Sequence, residues 1–415
     1  MPKISRSVLL LALVLPLALH ASSGTPAQLA ELTPSDPTQY ADFGTSIAGS
    51  GNTVVVGAPS YYEGANPGAA YVFVKPSSGW QDMTETAKLT PSDGVSSELF
   101  GQAVAMNGDT IVVGCGNGTE VYVFAKPAGG WRDMTETAKL TSSDNGVSDV
   151  FGGSVSIDGG TIVAGALNGN QGNGAAFVYV EPSGGWIDMT QTAELTSSNG
   201  HLGYFGYSVA IAGDTIVVGA ENQPGGLHVG EGAAYVFVKP AGGWADATQN
   251  AELVASDREF GSQFGFNVAV AASTIVVGAP LAHGKEKGPG RGASYIFTKP
   301  SKGRKILTET AQLSWGSTFN EDFGISNSVS GNAIAVGVPR IQVGSVAGQG
   351  AAAIFLDSSG GWQSSSQPRY GLTSPGALEF GRAIAISGKT LLVGADGTSS
   401  GRMESVGSAY VFGLE

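Results

Sequence analysis

The sequence is short of the residues that most often staple a fold or carry out chemistry. It holds one cysteine, Cys115, so no disulfide can form within the chain. Metal sites built on several thiolates are excluded with it. Charged residues make up 13% of the chain, and its 21 Lys and Arg are outnumbered by 34 Asp and Glu. Nucleic-acid affinity rests on cations that neutralise phosphates, and attraction to anionic membranes on basic runs. A chain of net charge −13 suits neither partner, and the charge reads as a means of solubility. There is no His-Glu-x-x-His pair and no phosphate-binding loop. Beyond the N-terminal segment, no apolar run is long enough to cross a bilayer.

That segment, MPKISRSVLLLALVLPLALHASSG, has the layout of a secretory signal peptide. Lys3 and Arg6 supply a positive start, and Val8 to Leu19 form an apolar stretch too short to span, followed by small residues. Residues 1–21 are therefore expected to be a signal peptide, with cleavage after Ala21 or Ser23. The alternative is an uncleaved signal anchor. With a signal removed, the rest is expected to be secreted and extracellular, with no membrane span.

Glycine is abundant instead, 64 residues of 415, roughly twice its usual share of about 7%. It recurs at fixed places. Phe43-Gly44, Phe100-Gly101, Phe151-Gly152, Phe205-Gly206, Phe264-Gly265, Phe323-Gly324 and Phe380-Gly381 open seven similar units at spacings of 51–59 residues. Each unit continues with a run such as SVAIAGDTIVVGA, a variable Gly-rich stretch, a run such as GAAYVFVKP, and a closing segment such as GGWRDMTETAKLT. The four short runs rich in Val, Ile and aromatics, punctuated by Gly, Asn, Asp and Pro, read as four strands per unit. Seven such units predict an all-β, seven-bladed β-propeller of four-stranded antiparallel blades over residues 28–415. The opening AQLAELTPSD matches the fourth-strand segment ETAKLTPSD, and the closing GSAYVFGLE is a third strand with no fourth after it. The N-terminal strand is thus expected to complete the seventh blade beside Tyr410 to Phe412 and close the ring.

Phe-Gly at each start, followed by VVGAP at Val55–Pro59 and Val276–Pro280, resembles the FG-GAP repeat of the integrin alpha chain N-terminal β-propeller. The resemblance covers essentially all of 30–415. It implies an extracellular binding module and, in many integrin-type repeats, a calcium loop of the Asp-x-Asp-x-Asp-Gly kind between first and second strands. The matching turns here, GSGNT, MNGDT, IDGGT, IAGDT, VAAST, VSGNA and ISGKT, carry at most one acid each. Calcium needs six or more oxygen ligands, so no metal or other cofactor is expected.

Other repeating residues admit structural and functional readings. Asp36, Asp93, Asp144 and Asp257, with Asn199 in the same place, read as turn residues or as a ring of carboxylates. Asp82, Asp133, Asp188 and Asp246 read as turn acids. Trp80, Trp131, Trp186, Trp244 and Trp362, replaced by Arg304 in the fifth unit, read as packing within a blade or as sugar-stacking aromatics. Asn117-Gly118-Thr119 fits the N-glycosylation pattern. His228 and His283, with Glu221 and Glu231, read as a metal site or as solvent-exposed residues on Gly-rich loops. The loops between second and third strands diverge most, and diverse loops on a rigid ring are where binding usually resides. Tyr61, Tyr62, His228, His283 and Arg291 are the candidates for that ligand face.

The chain is therefore expected to be a monomeric, non-catalytic recognition module for an extracellular protein, used in adhesion or similar recognition. Two further readings stay open: a lectin-like propeller taking glycans at repeated aromatics, and an extracellular enzyme acting on polysaccharide.

Overall fold

A computed structural model describes residues 24–60, 67–94, 98–143, 150–198, 203–221, 230–283, 290–300, 305–316, 321–357, 360–399 and 403–414. The signal-like segment and Tyr61, Tyr62, Asp144, Asn199, His201, His228 and Arg304 lie outside them.

The strands form seven separate sheets, each a blade. Blade 1 comprises Ser46–Ser50, Thr53–Ala58, Ala69–Val74 and Ala87–Leu89, ordered from the centre outwards, and every neighbouring pair is antiparallel. The same order recurs round the ring, and the second strand of each blade is buried almost throughout. That is why TIVVGA shows no alternation: both of its faces meet another blade. The hydrophobic cores lie between blades. Seven buried clusters each join two consecutive blades, the last joining blade 7 to blade 1.

Closure follows the expectation. Gln28–Leu32 pairs antiparallel with Ser408–Gly413 as the outer strand of blade 7, matching Glu31 to Tyr410 and Leu32 to Ala409. Leu32 is fully buried, and the Glu31 carboxylate accepts hydrogen bonds from Ser408 (3.0 Å) and Tyr410 (3.3 Å).

The Phe-Gly pairs now have a mechanism. The glycine has φ of 85–100° and sits third in a four-residue turn, as when the Thr45 amide donates to the Asp42 carbonyl at 3.2 Å. A turn of type II requires positive φ at that place. The glycine's carbonyl then presses on the glycine of VVGA in the preceding blade. A Cβ on Gly57, Gly114, Gly165, Gly219, Gly278, Gly337 or Gly394 would lie 1.9–2.0 Å from the carbonyl oxygen of Gly101, Gly152, Gly206, Gly265, Gly324, Gly381 or Gly44 respectively. All seven interfaces carry the same lock, including the one that closes the ring. Beside it the phenylalanine packs edge-on against the third strand of its own blade, as Phe100 does on Tyr122 at 5.3 Å.

The blades hold four to five strands, and the WxDMT segment is more than a turn. After the third strands of blades 1 to 6 the chain crosses to the preceding blade and lies parallel along its outer edge before returning. In blades 2, 3 and 4 this strap forms a fifth strand, from Met189–Thr190, Ala247–Thr248 and Lys305–Leu307. On blades 7, 1 and 5 it makes single bridges, Leu32 to Met83, Leu89 to Met134 and Leu313 to Ser365. Straps also seal sheet edges that would otherwise expose unpaired amides.

The strap accounts for the repeated acids. Asp82, Asp133, Asp188 and Asp246 accept the amides of Glu31, Lys88, Lys139 and Glu194 on the preceding blade, each at 2.8 Å. Three residues on, Glu85, Glu136 and Glu309 take both the amide and the hydroxyl of Ser35, Ser92 and Ser256. Gln191 and Gln249 accept the amides of Ser143 and Ser198 and donate a side-chain N–H to their hydroxyl oxygens. Asp36, Asp93 and Asp257 accept the hydroxyls of Tyr71, Tyr122 and Tyr295 at 2.8–3.0 Å. The tryptophans pack, but between blades: Trp131 belongs to the core joining blades 1 and 2.

Candidate functional site

Two kinds of segment meet on one face of the ring: the loops from second to third strands, and the connections entering each blade. They are tied together by backbone bonds such as Tyr40 to Glu404 (3.0 Å) and Gly261 to Gly230 (2.9 Å). The residue before each Phe-Gly pair adopts the left-handed conformation in all seven blades: Asp42, Leu99, Val150, Tyr204, Gln263, Asp322 and Glu379, with φ of 50–58°. Side chains disfavour this region, Val most of all. Its presence in every blade marks it as part of the turn that delivers the chain to the centre. What varies from blade to blade is the chemistry it presents.

Blades 6, 7 and 1 present charge. The Arg382 Nε lies 3.3 Å from Asp396 Oδ2, and the Thr45 hydroxyl donates to the same oxygen at 3.3 Å. Arg340 Nε pairs with Asp322 at 3.1 Å. Burial pushes the Asp396 carboxyl up to about 7; Arg382 opposes this, while Glu379 and Asp42 add to it. Asp396 stands where the VVGAP form of the repeat has proline, and so does Glu221 in blade 4.

Blades 4 and 5 present a different surface. Phe260 is 75% exposed, Tyr204 45% and Leu281 37%, on the two entering connections and the blade 5 loop. Phe260 lies over Gly230, where a Cβ would come within 3.2 Å of its ring. Tyr207 and Phe266, just inside the two entry turns, meet at 4.9 Å between ring centroids. Beneath the loop, Glu221 is 9% exposed, and burial pushes its carboxyl up to about 7. His283 belongs to this corner: its amide donates to Glu259 at 2.5 Å, and its Nδ1 lies 3.4 Å from the same carboxylate oxygen. Arg258 faces Glu231 at 3.8 Å.

Of the five candidates from sequence, His283 and Arg291 lie on the blade 5 loop. Arg291 is held by its backbone, donating to the Ala282 carbonyl (3.0 Å) and accepting from the Phe323 amide (3.1 Å). Tyr61, Tyr62 and His228 fall outside the described residues, so the pairing of His228 with His283 is not brought together here. Among the described residues, no three His, Cys, Asp or Glu side chains are grouped so as to hold a metal ion. Sequence reasoning missed Tyr204 and Phe260. The available signal was Phe260-Gly261, a second Phe-Gly pair four residues before the one that opens blade 5.

The FG-GAP repeat family model matches residues 26–73, 83–124, 134–179, 189–237, 247–297 and 377–412, well over half the chain. The chain belongs to this family, whose propellers are typical of extracellular domains and of non-catalytic protein-interaction modules. The match passes over 298–376, yet blade 6 is built like the others, from Asn327–Ser330, Ala333–Val338, Ala351–Leu356 and Tyr370–Leu372. No curated protein matches the sequence. Among the described residues no helix is long and apolar enough to cross a membrane.

Proposed function

We propose that the chain is an exported, non-catalytic recognition module that engages an extracellular protein through the loop face over blades 4 and 5. One observation carries the reading: Phe260, Tyr204 and Leu281 are offered to solvent in one region of that face, while the aromatics that recur in every blade are spent on packing. Trp131, Trp186 and Trp244 are only 6–7% exposed. Exposed aromatics rimmed by charge are what protein-binding hot spots use, and here His283, Glu259, Arg258 and Glu231 provide the rim. The same burial counts against a lectin with one sugar site per blade, since the repeated tryptophans have little surface left for stacking. The signal-like N-terminus supports export.

The test is a screen of the purified chain against arrays of extracellular proteins and polysaccharides, with the stoichiometry of each hit measured. One protein ligand per chain is expected, with affinity falling about 30-fold in Phe260→Ala, the loss typical of a hot-spot residue. Several sugars bound per chain, indifferent to Phe260, would overturn the proposal in favour of the carbohydrate reading.

A further inference from the structure

The residue before a Phe-Gly pair lies close to the residue that follows the second strand of the same blade. In blade 2 a Cβ on Gly116 would stand 3.1 Å from Leu99 Cδ1. In six blades at least one of the two residues is uncharged, as in Asp42 with Pro59, Tyr204 with Glu221 and Asp322 with Pro339. Blade 7 has an acid at both places, Glu379 and Asp396. The Glu379 carboxyl is a hydrogen-bond neighbour of Asp396. Its stem also lies over the next peptide, where a Cβ on Gly397 would meet Glu379 Cγ at 3.0 Å.

Asp396 is 8% exposed. Its Oδ2 receives the Arg382 Nε and the Thr45 hydroxyl, each at 3.3 Å. Its Oδ1 is buried, and no described donor reaches it. Two ionised carboxylates in contact are both acceptors and repel each other, whereas one proton between them makes an O–H···O hydrogen bond. The surrounding charges do not remove that need. Arg382 also acts on Asp322 of blade 6, which Arg340 pairs at 3.1 Å, and Asp42 of blade 1 brings a further negative charge to Asp396. At the rim, Glu404 accepts the Tyr40 hydroxyl at 3.0 Å.

The acid pair stands at a junction. Thr45 belongs to blade 1, so Asp396 reaches across the interface that closes the ring. Beside it the Asp42 and Phe43 amides donate to the Ser405 and Val406 carbonyls (3.0 and 3.2 Å), tying the connection into blade 1 to the blade 7 loop. The Leu378 amide donates to the Thr398 hydroxyl at 3.1 Å, and the Glu379 amide to the Gly348 carbonyl of the blade 6 loop at 2.9 Å. A second negative charge at the pair therefore pushes on segments of three blades.

We propose that Asp396 and Glu379 form a proton-operated latch across the ring closure. One shared proton pins the ends of the blade 7 loop, 396–399 and 403–407, to the connections entering blades 7 and 1, and its departure to solvent loosens them. Burial raises the Asp396 carboxyl from 3.8 to about 7, with Arg382 opposing and Glu379 and Asp42 assisting. The native state thus holds a proton that the unfolded chain gives up. The latch's hold is complete at low pH and is lost as pH rises through 7. It acts on the sector of the loop face over blades 6, 7 and 1, and it does not depend on the ligand patch over blades 4 and 5.

Hydrogen exchange of the full chain in EDTA at pH 6 and pH 8.5, read by mass spectrometry and corrected for the intrinsic pH dependence, tests the latch. Peptides covering 40–46, 376–380 and 396–407 should lose protection at least about tenfold at the higher pH, while the strands of blade 3 stay unchanged. Asp396→Asn and Glu379→Gln each put an N–H donor where the proton sits, and both should keep these segments protected at pH 8.5. The parent's profile decides without any variant: equal protection at the two pH values would overturn the proposal. So would a step that persists unchanged in both variants. Protection restored at pH 8.5 by millimolar calcium would overturn it too, because a metal rather than a proton would then join the carboxyls.

Discussion

The glycine lock between blades can be tested by adding a single carbon. In Gly219→Ala the new Cβ would lie 2.0 Å from the Gly265 carbonyl oxygen and 2.3 Å from Ser208 Oγ. Ordinary contact begins at 3.4 Å, so blade 5 would have to retreat by more than 1 Å. Gly219 has no positive φ, so the backbone itself tolerates alanine and the penalty is steric alone. Overpacking usually costs about 1–3 kcal/mol, because neighbouring side chains can shift. Here the obstacle is backbone, and the ring is closed, so a displaced blade must push on the rest. We expect a loss above about 3 kcal/mol by that reasoning. Two controls separate the causes. Gly213 has φ of 60° and open space around its Cβ, so Gly213→Ala should cost about 1 kcal/mol, from conformation only. Gly184 has neither constraint, and Gly184→Ala should stay within about 0.5 kcal/mol of the parent. Urea unfolding followed by near-UV circular dichroism reads all three. Were Gly219→Ala no worse than Gly213→Ala, the close approach of blades would not be what demands glycine in VVGA.

Deleting residues 28–36 should remove the outer strand of blade 7 and lower the melting temperature sharply; an unchanged melting curve would sink the closure argument. Asp133→Ala should destabilise the chain by about 1 kcal/mol through loss of the Lys88 amide bond, and Asp133→Asn, which keeps an acceptor oxygen, by less. Glu221 has a folded-state pKa raised from 4.5 to about 7, so the native state holds its proton longer than the unfolded chain does. Its contribution to stability is therefore full below pH 4.5 and falls by about 3 kcal/mol as pH rises through 7. Urea midpoints at pH 5 and pH 8 should show Glu221→Gln more stable than the parent at the higher pH and close to it at the lower. Cys115 is buried and its thiol is pushed far above the usual range, first by burial and then by Glu98, Asp93 and Glu120. A thiol reagent should leave it unmodified in the native protein; rapid labelling would show that blade 2 opens.

Much of the architecture can be read from residue order alone, because the repeat is local and its signals are strong. The Phe-Gly period counts the blades, and AQLAELTPSD against GSAYVFGLE reveals the shared seventh blade. The straps are another matter. Asp82-Met83-Thr84-Glu85 pairs over only a residue or two and in parallel, so it leaves no alternation of apolar and polar positions. Its partners, the Glu31 amide and Ser35, lie some fifty residues away and belong to another unit. Acids that read as turn formers in isolation are therefore clasps between repeats. The face resists reading for a similar reason. Tyr204 and Phe260 lie in connections without periodicity, and their exposure is set by how two adjacent loops stack. Glu221 looks unremarkable until VVGAE is laid beside VVGAP and the carboxylate is found in the buried place of a proline.

The regularity of the ring bears on where function can reside. A residue that recurs from blade to blade and holds a neighbouring blade is committed to the ring, and the Asp, Glu, Ser, Tyr and Trp series serve that purpose wherever they occur. Recognition of a single ligand must then come from positions where one blade departs from the rest. The departures are not scattered. The exposed rings of Tyr204 and Phe260 lie over blades 4 and 5, and the paired Asp322, Arg340, Arg382 and Asp396 belong to blades 6 and 7.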